Sequence, residues 1–390
     1  MARALAGARS RRGRLDPLAL PDPIPLSRPL IDEREESLVL EVLRSRRLSL
    51  GPSIDRFEQL IAEATGAPYV AAVSSGTAGL HLCMLLAGIG PGDEVITSPY
   101  SFVASANCVL YTGATPVFVD VDPRTMNLDP ALVEAAITPR TKAILPVHIF
   151  GYPAELAPLE ELARRHGLAI VEDACEALGA VHADGTPVGG RGHPAVFGFY
   201  ANKQLTTGEG GMVALGDAAH KARIDSERNQ GRAPDMGWLD HDRLGFNYRL
   251  TDLQSAIGLV QLGRLDGMLA DRARAAAAYR EALAEIEGLE LPCEDMGGDR
   301  RGWFVFVVRV PRGTDRDETV RRLLAAGVQA KPYLPAIHLM TYYRETFGHR
   351  EGEFPVCEDV AARSLALPFF PAITEGQIAR VAAALQSALT

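Results

Sequence analysis

Between residues 69 and 214, short apolar runs alternate with helix-length segments, and this alternation limits the possible folds more than any other property of the chain. Residues 69–73, 95–97, 116–121, 143–147, 168–172, 196–200 and 212–214 read as strands. Residues 77–86, 102–111, 130–136 and 154–166 read as helices between the first five of them. Parallel strands need a long crossover, usually a helix, and strands buried on both faces are apolar throughout rather than alternating. The prediction is an α/β fold with a mostly parallel sheet covered on both faces. Two further helices, over 34–44 and 54–65, precede the first strand.

After Leu250 the pattern changes to a long, alanine-rich helix reaching about Glu285, with a break expected near Gly263 and Gly267. Residues 303–310 then alternate like a strand, while 314–326 and 377–388 read as helices. This divides the chain into a flexible tail (1–22), a large α/β domain (23–265) and a smaller α+β domain (266–390). A chain of 390 residues, 47% hydrophobic and 23% charged, is ordinary for a globular protein of two or three lobes.

Composition also excludes several classes. A net charge of −9 argues against a general nucleic-acid binder, though not against a local basic pocket. The five cysteines show no C-x-x-C spacing, which suggests reduced thiols and a cytoplasmic protein. Cys83 and Cys108 sit in apolar helical surroundings and are expected in the core. No apolar run approaches the roughly 20 residues of a membrane span. Residues 1–14 carry five arginines and no acid, and lack the apolar core of a secretory signal. A disordered tail is the plain reading; a phosphate-seeking arm or a targeting segment are the alternatives.

The chemistry gathers around one lysine. Phe197-Gly198-Phe199-Tyr200-Ala201-Asn202-Lys203 runs from a strand into the turn Thr206-Thr207-Gly208-Glu209-Gly210-Gly211. Upstream, Asp173 ends an apolar strand, where parallel sheets bind ligands. An amine able to form a Schiff base and a carboxylate able to hold a pyridinium proton are what a pyridoxal phosphate enzyme must supply. Ser74-Ser75-Gly76-Thr77-Ala78-Gly79 follows a strand and opens a helix, a phosphate site by its free N–H groups and dipole. A plain N-cap would read the same way. Tyr100 or Phe102 offers an aromatic face for a flat ring, or is simply a core aromatic. Alone, Asp173 would pass for a turn residue or helix cap.

The order of these motifs resembles the DegT/StrS-type sugar aminotransferases, pyridoxal phosphate enzymes of the aspartate aminotransferase fold (fold type I). The likeness extends from about Ile24 to Ala388. It rests on residues 48–52, Ser75-Gly76-Thr77-Ala78, 172–179, the Lys203 segment, 245–250, Lys331-Pro332-Tyr333 through His338, and 365–368. The resemblance implies that Lys203 is the Schiff-base lysine and Asp173 the pyridinium partner. It places Ser75, Gly76, Thr77, Ala78, Phe102, Glu176, Asn202 and Asn247 around pyridoxal 5'-phosphate, with Asn247 reaching the neighbouring subunit's site. A homodimer with shared active sites follows. Arg249, Tyr333 and His338 match positions near the substrate; a surface ion pair for Arg249 and a core role for His338 are the plain alternatives. Many relatives have a serine where this chain has Gly198, so phosphate anchoring leans on the Gly76 turn, Asn247 and Asn202. Glu176 and the run 199–203 look most like the perosamine-synthase branch.

The resemblance implies a ping-pong transaminase that takes nitrogen from L-glutamate and delivers it to a keto group of a nucleotide-linked sugar, such as a 4-keto-6-deoxy sugar. Arg249 and Lys331 are candidates for meeting the substrate's negative charge. Alternatives are a transaminase for an aminocyclitol or other keto substrate, or a pyridoxal phosphate-binding regulatory protein without turnover. A dehydratase on the same scaffold carries histidine at the lysine position, so Lys203 speaks against it.

Overall fold

The computed structural model describes residues 23–233 and 240–390; the tail expected over 1–22 lies outside them. The large lobe is built on β1 (Tyr69–Val73), β2 (Glu94–Thr97), β3 (Thr115–Phe118), β4 (Thr141–Leu145), β5 (Ala169–Ile170), β6 (Glu172–Asp173), β7 (Ala195–Gly198) and β8 (Gly211–Leu215). β5 and β6 are one strand with an irregularity at Val171. The Val171 N–H donates to Ile144 O at 3.1 Å, and the Asp173 N–H to Pro146 O at 2.9 Å. The spatial order is therefore β3-β2-β4-β5/β6-β7-β8-β1. All pairings are parallel except those of β8 with β1 and β7. The expected mostly parallel sheet is present, with β8 as the reversed strand.

Helices cover both faces, as βαβ crossovers require. Val95, Ala143, Leu145, Val171, Val196 and Val213 enter one buried cluster with helix Gly76–Leu86. Ile96, Ile144 and Ile170 enter another with helix Leu156–His166. Cys83 and Cys108 are fully buried in the first cluster, as their surroundings suggest. Every cysteine is a free thiol.

The long helical pattern breaks after Gly263 into helices Asp252–Leu262 and Leu265–Leu283. The second belongs to two cores. Leu265 and Met268 pack with the large lobe, whereas Ala275, Ala276, Tyr279 and Leu283 pack with the small one. The small lobe holds an antiparallel sheet, β10 (Lys331–Pro332), β11 (Ser364–Leu367) and β9 (Phe306–Arg309), with β11 central. Helices Arg316–Ala325 and Glu375–Leu389 lie against it. Residues 24–26, which the sequence groups with the large domain, join this lobe instead. Ile24 bridges Val328, its N–H donates to Gly327 O at 2.9 Å, and its side chain is buried in the small core.

Candidate active site

In a sheet of this kind the C-terminal ends of the parallel strands form the ligand edge. Here β1 delivers Ser75, β2 delivers residues 98–102, β6 delivers Asp173 and β7 delivers the lysine turn. They enclose a cavity of about 460 Å³ lined by Ser75, Gly76, Thr77, Phe102, Asp173, Glu176, Asn202, Lys203 and Tyr333, among others.

After β7 the chain turns tightly. The Lys203 N–H donates to Tyr200 O at 3.0 Å, the Thr207 N–H to Phe199 O at 3.0 Å, and Gly208 takes a φ of 82°. Of the four lysines in the sequence, only Lys203 lines the cavity. Its Nζ donates to Glu176 Oε1 at 3.2 Å and lies 4.1 Å from the centroid of the Phe304 ring. The Lys203 and Glu176 side chains are only 14% and 8% exposed, so this ion pair is largely withdrawn from water, unlike a weak surface pair. The second oxygen of Glu176 accepts the Phe150 N–H at 2.9 Å, which fixes the carboxylate.

Asp173 is held with equal care. Its Oδ2 accepts from Ser105 Oγ at 2.7 Å and its Oδ1 from the Cys175 N–H at 3.2 Å. Ser105 Oγ is in turn 2.7 Å from Ser101 Oγ. Two donors orient a buried carboxylate whose remaining lone pairs are available to the cavity. Burial, followed by the neighbouring Asp173 charge, pushes the Cys175 thiol well above its ordinary range, so that wall stays neutral.

Ser75 caps helix Gly76–Leu86, its Oγ accepting the Ala78 N–H at 3.1 Å. By helix geometry the Gly76 and Thr77 N–H groups have no intrahelical partner, and both residues line the cavity. A Cβ on Gly76 would sit 2.5 Å from Cys175 Sγ, so only glycine lets the helix end approach this closely. A Cβ on Gly198 would meet the same cysteine at 3.3–3.4 Å, so Cys175 fills the space beside the missing serine. The Oδ1 of Asn202, in the cavity wall, is buried without a hydrogen-bond partner.

The two aromatic candidates separate. Phe102 lines the cavity and is 61% exposed. Tyr100 is core: its Oη donates to Tyr333 O at 2.6 Å and accepts the Leu334 N–H at 3.2 Å, tying residues 333–334 to the large lobe. Tyr333 lines the cavity, and burial, followed by the Glu176 charge, pushes its phenol well above the usual range.

Four sequence candidates lie off the cavity. Ala78 is buried, and its N–H is taken by Ser75 Oγ, whereas Gly76 and Thr77 line the cavity. Asn247 is exposed on the segment that bridges Asn229. Arg249 Nη1 donates to Asn229 Oδ1 at 2.9 Å and Gln230 Oε1 at 3.0 Å, and it forms no ion pair among the described residues. His338 is fully buried, 3.0 Å from Glu358 Oε1 through Nε2, and burial lowers its pKa. Conversely, the sequence reading overlooked Ser101, Ser105 and Phe304. The first two carry a weak signal, hydroxyls at i and i+4 at a helix start; Phe304 carries none.

These residues suit pyridoxal phosphate: a buried amine, a doubly oriented carboxylate, an aromatic wall, a bare helix N-terminus and an orphaned amide oxygen in one cavity.

Comparison with known proteins agrees. The profile of the DegT/DnrJ/EryC1/StrS aminotransferase family matches residues 29–386. GDP-perosamine synthase of Caulobacter vibrioides is 40% identical over 370 residues, covering 94% of this chain and 98% of the relative. The crystal structure of S. venezuelae DesV in complex with a ketimine intermediate superposes with a TM-score of 0.85 at 38% identity, covering 90% of this chain and 93% of that one. DesI, solved in the presence of its TDP-sugar product, gives a TM-score of 0.87 at 35% identity, covering 95% and 93%.

Proposed function

The chain belongs to the DegT/DnrJ/EryC1/StrS aminotransferase family, and from that premise we propose that it transfers the amino group of L-glutamate to a keto group of a nucleotide-linked 4-keto-6-deoxy sugar. The family and fold are those of pyridoxal phosphate-dependent aminotransferases. The observation that carries the reading is the joint presence of Lys203 and Asp173 in one cavity with the Gly76 helix end. A nucleotide sugar as acceptor is supported by the GDP-perosamine synthase relative and by the TDP-sugar product with which DesI was solved.

When bound, pyridoxal phosphate supplies a protonated ring that withdraws electrons from the carbon bearing the amine. Lys203 Nζ would be the group that holds it and, when free, the base that holds or moves the proton at that carbon. Asp173 accepts the pyridine N–H, with Ser105 and Cys175 keeping its carboxylate in place. The N–H groups of Gly76 and Thr77 would receive the phosphate, with the Ser75 hydroxyl and the Asn202 Nδ2 as further donors. Phe102 packs on the ring face. Glu176 takes a proton-donating contact from the Lys203 amine and fixes its direction. Tyr333, which lines the cavity, belongs to the substrate side in this reading, and the family likeness assigns Arg249 and His338 to the same side.

Exposed Tyr111 and Leu244 suit a homodimer in which Asn247 completes the neighbouring site. Mixing Lys203→Ala and Asn247→Ala subunits would then restore activity that neither homodimer has. A cytoplasmic location is consistent with five free thiols, and no helix among the described residues is long and apolar enough to cross a membrane. The decisive test of the activity is a half-reaction. L-Glutamate should shift the absorbance of the holoenzyme, and a nucleotide keto-sugar should shift it back with an amino sugar seen by mass spectrometry. Wild-type turnover by Lys203→Ala would refute the mechanism.

A further inference from the structure

Arg272 lies midway along helix Leu265–Leu283, where that helix passes from the large core to the small one. Its side chain is buried, with the residue 2% exposed, yet among the described residues no carboxylate pairs with it. Its Nη1 donates to Phe304 O at 2.8 Å, its Nη2 to Lys203 O at 3.3 Å, and its Nε is buried without a partner. The guanidinium also stacks 5.6 Å from the centroid of Phe369. A buried, unpaired cation is costly, and an apolar side chain of similar length would fill this space more favourably. Packing therefore does not account for it. What an apolar residue could not do is hold two carbonyls at once with a planar fork.

Those carbonyls belong to the reactive lysine and to the residue that covers it. The Phe304 ring lies over Lys203 Nζ, and the neighbouring residues are joined in parallel. Gln204 Nε2 donates to Gly302 O and Glu176 O, and the Gly302 N–H donates to Gly151 O at 2.9 Å. A Cβ on Gly302 would stand 2.5 Å from Leu178 O, so this strap lies flat on the large lobe.

We propose that Arg272 is a positioning residue for the reactive lysine, its guanidinium tying the main chain of Lys203 to the strap that carries Phe304 over the lysine amine. The role of the lysine rests on the function proposed above; the tie itself does not. Loss of the fork frees the main chain of Lys203 from the strap, leaving Gln204 and the Glu176 carboxylate as the ties nearest the amine, and loosens its approach. A misplacement on the order of 1 Å at a reacting group costs about 10²-fold in rate.

The test uses the full chain with Arg272→Met, Arg272→Lys and Phe304→Leu. In the apoprotein, amide hydrogen exchange of R272M is expected to quicken at residues 203–207 and 304–306 and to stay unchanged in β1, β2 and β4. In the holoenzyme, kcat is expected to fall about 10- to 100-fold with the KM of both substrates little changed. R272K keeps the charge but not the fork, and is expected to show the same exchange pattern with a smaller fall in kcat. F304L leaves the tie intact and is expected to lower kcat without quickening exchange at 203–207. Wild-type exchange at 203–207 in a folded R272M or R272K would overturn the proposal, as would a uniform quickening across the fold. If R272M does not fold, R272K decides. Failure of the wild-type half-reaction with the exchange pattern intact would refute the proposed function and leave the tie standing.

Discussion

Replacing Gly76 by alanine tests whether the helix end at the cavity is set by contact with Cys175. The new Cβ would lie 2.5 Å from Cys175 Sγ, where ordinary contact begins at 3.4 Å, so about 0.9 Å of overlap must be relieved. The new Cβ would also stand 3.5 Å from Gly198 Cα, which leaves two routes. Either the helix N-terminus retreats and carries the Gly76 and Thr77 N–H groups with it, or the thiol swings into the space the cofactor ring needs. Both weaken cofactor binding. Overpacking of this kind costs about 1–3 kcal/mol, which corresponds to a loss of roughly 5- to 150-fold in affinity. The assay is equilibrium titration of apoprotein with pyridoxal phosphate. Cys175→Ala alone removes the obstructing sulfur and is expected to bind within about threefold of wild type. In G76A/C175A the clash is gone, and affinity is expected to return close to that of C175A. The coupling energy then equals most of the G76A loss, within the range of about 0.5–3 kcal/mol seen for contacting pairs. Additive losses in the double variant would refute the argument.

Ser105→Ala removes the hydroxyl that donates to Asp173 Oδ2 at 2.7 Å. A hydrogen bond to a buried charge contributes about 1.5–3 kcal/mol, so kcat is expected to fall at least tenfold; an unchanged kcat would contradict this orienting role. Tyr100→Phe removes the bonds to Tyr333 O and Leu334 N and is expected to raise the KM of the sugar acceptor several-fold more than that of glutamate. Equal changes in the two would place Tyr333 outside the acceptor site. His182 is buried edge-on to His148, and burial, with His148 second, lowers its pKa from 6.5 to about 4. The unfolded chain therefore binds the proton first as pH falls. The stability from the neutral ring is whole above about pH 6.5 and is lost towards pH 4. Urea midpoints at pH 7.5 and 5 are expected to differ less in His182→Gln than in wild type, and an equal difference would contradict this assignment.

The large lobe was legible because parallel strands buried on both faces leave unbroken apolar runs separated by amphipathic helices. The break after Gly263 was legible for a similar local reason. β11 was not: it is four residues long and follows directly on helix Pro355–Arg363, with no turn between them. The joining of residues 24–26 to the small lobe was equally hidden, because one bridge to Val328 leaves no periodicity. Within the site, Lys203, Asp173 and Gly76 were visible because strand ends and helix starts have local signatures. Phe304 and Arg272 reach the lysine from far along the chain, and a phenylalanine or an arginine inside an apolar or alanine-rich run looks like packing or surface charge. The engagement of the Ala78 N–H by the Ser75 cap was hidden, because a sequence motif does not reveal which of its N–H groups a cap occupies.

The most direct measurement is borohydride reduction of the holoenzyme followed by peptide mass mapping. A phosphopyridoxyl group is expected on Lys203, with Lys142, Lys221 and Lys331 unmodified. A group on any of those three, or none on Lys203, would contradict it.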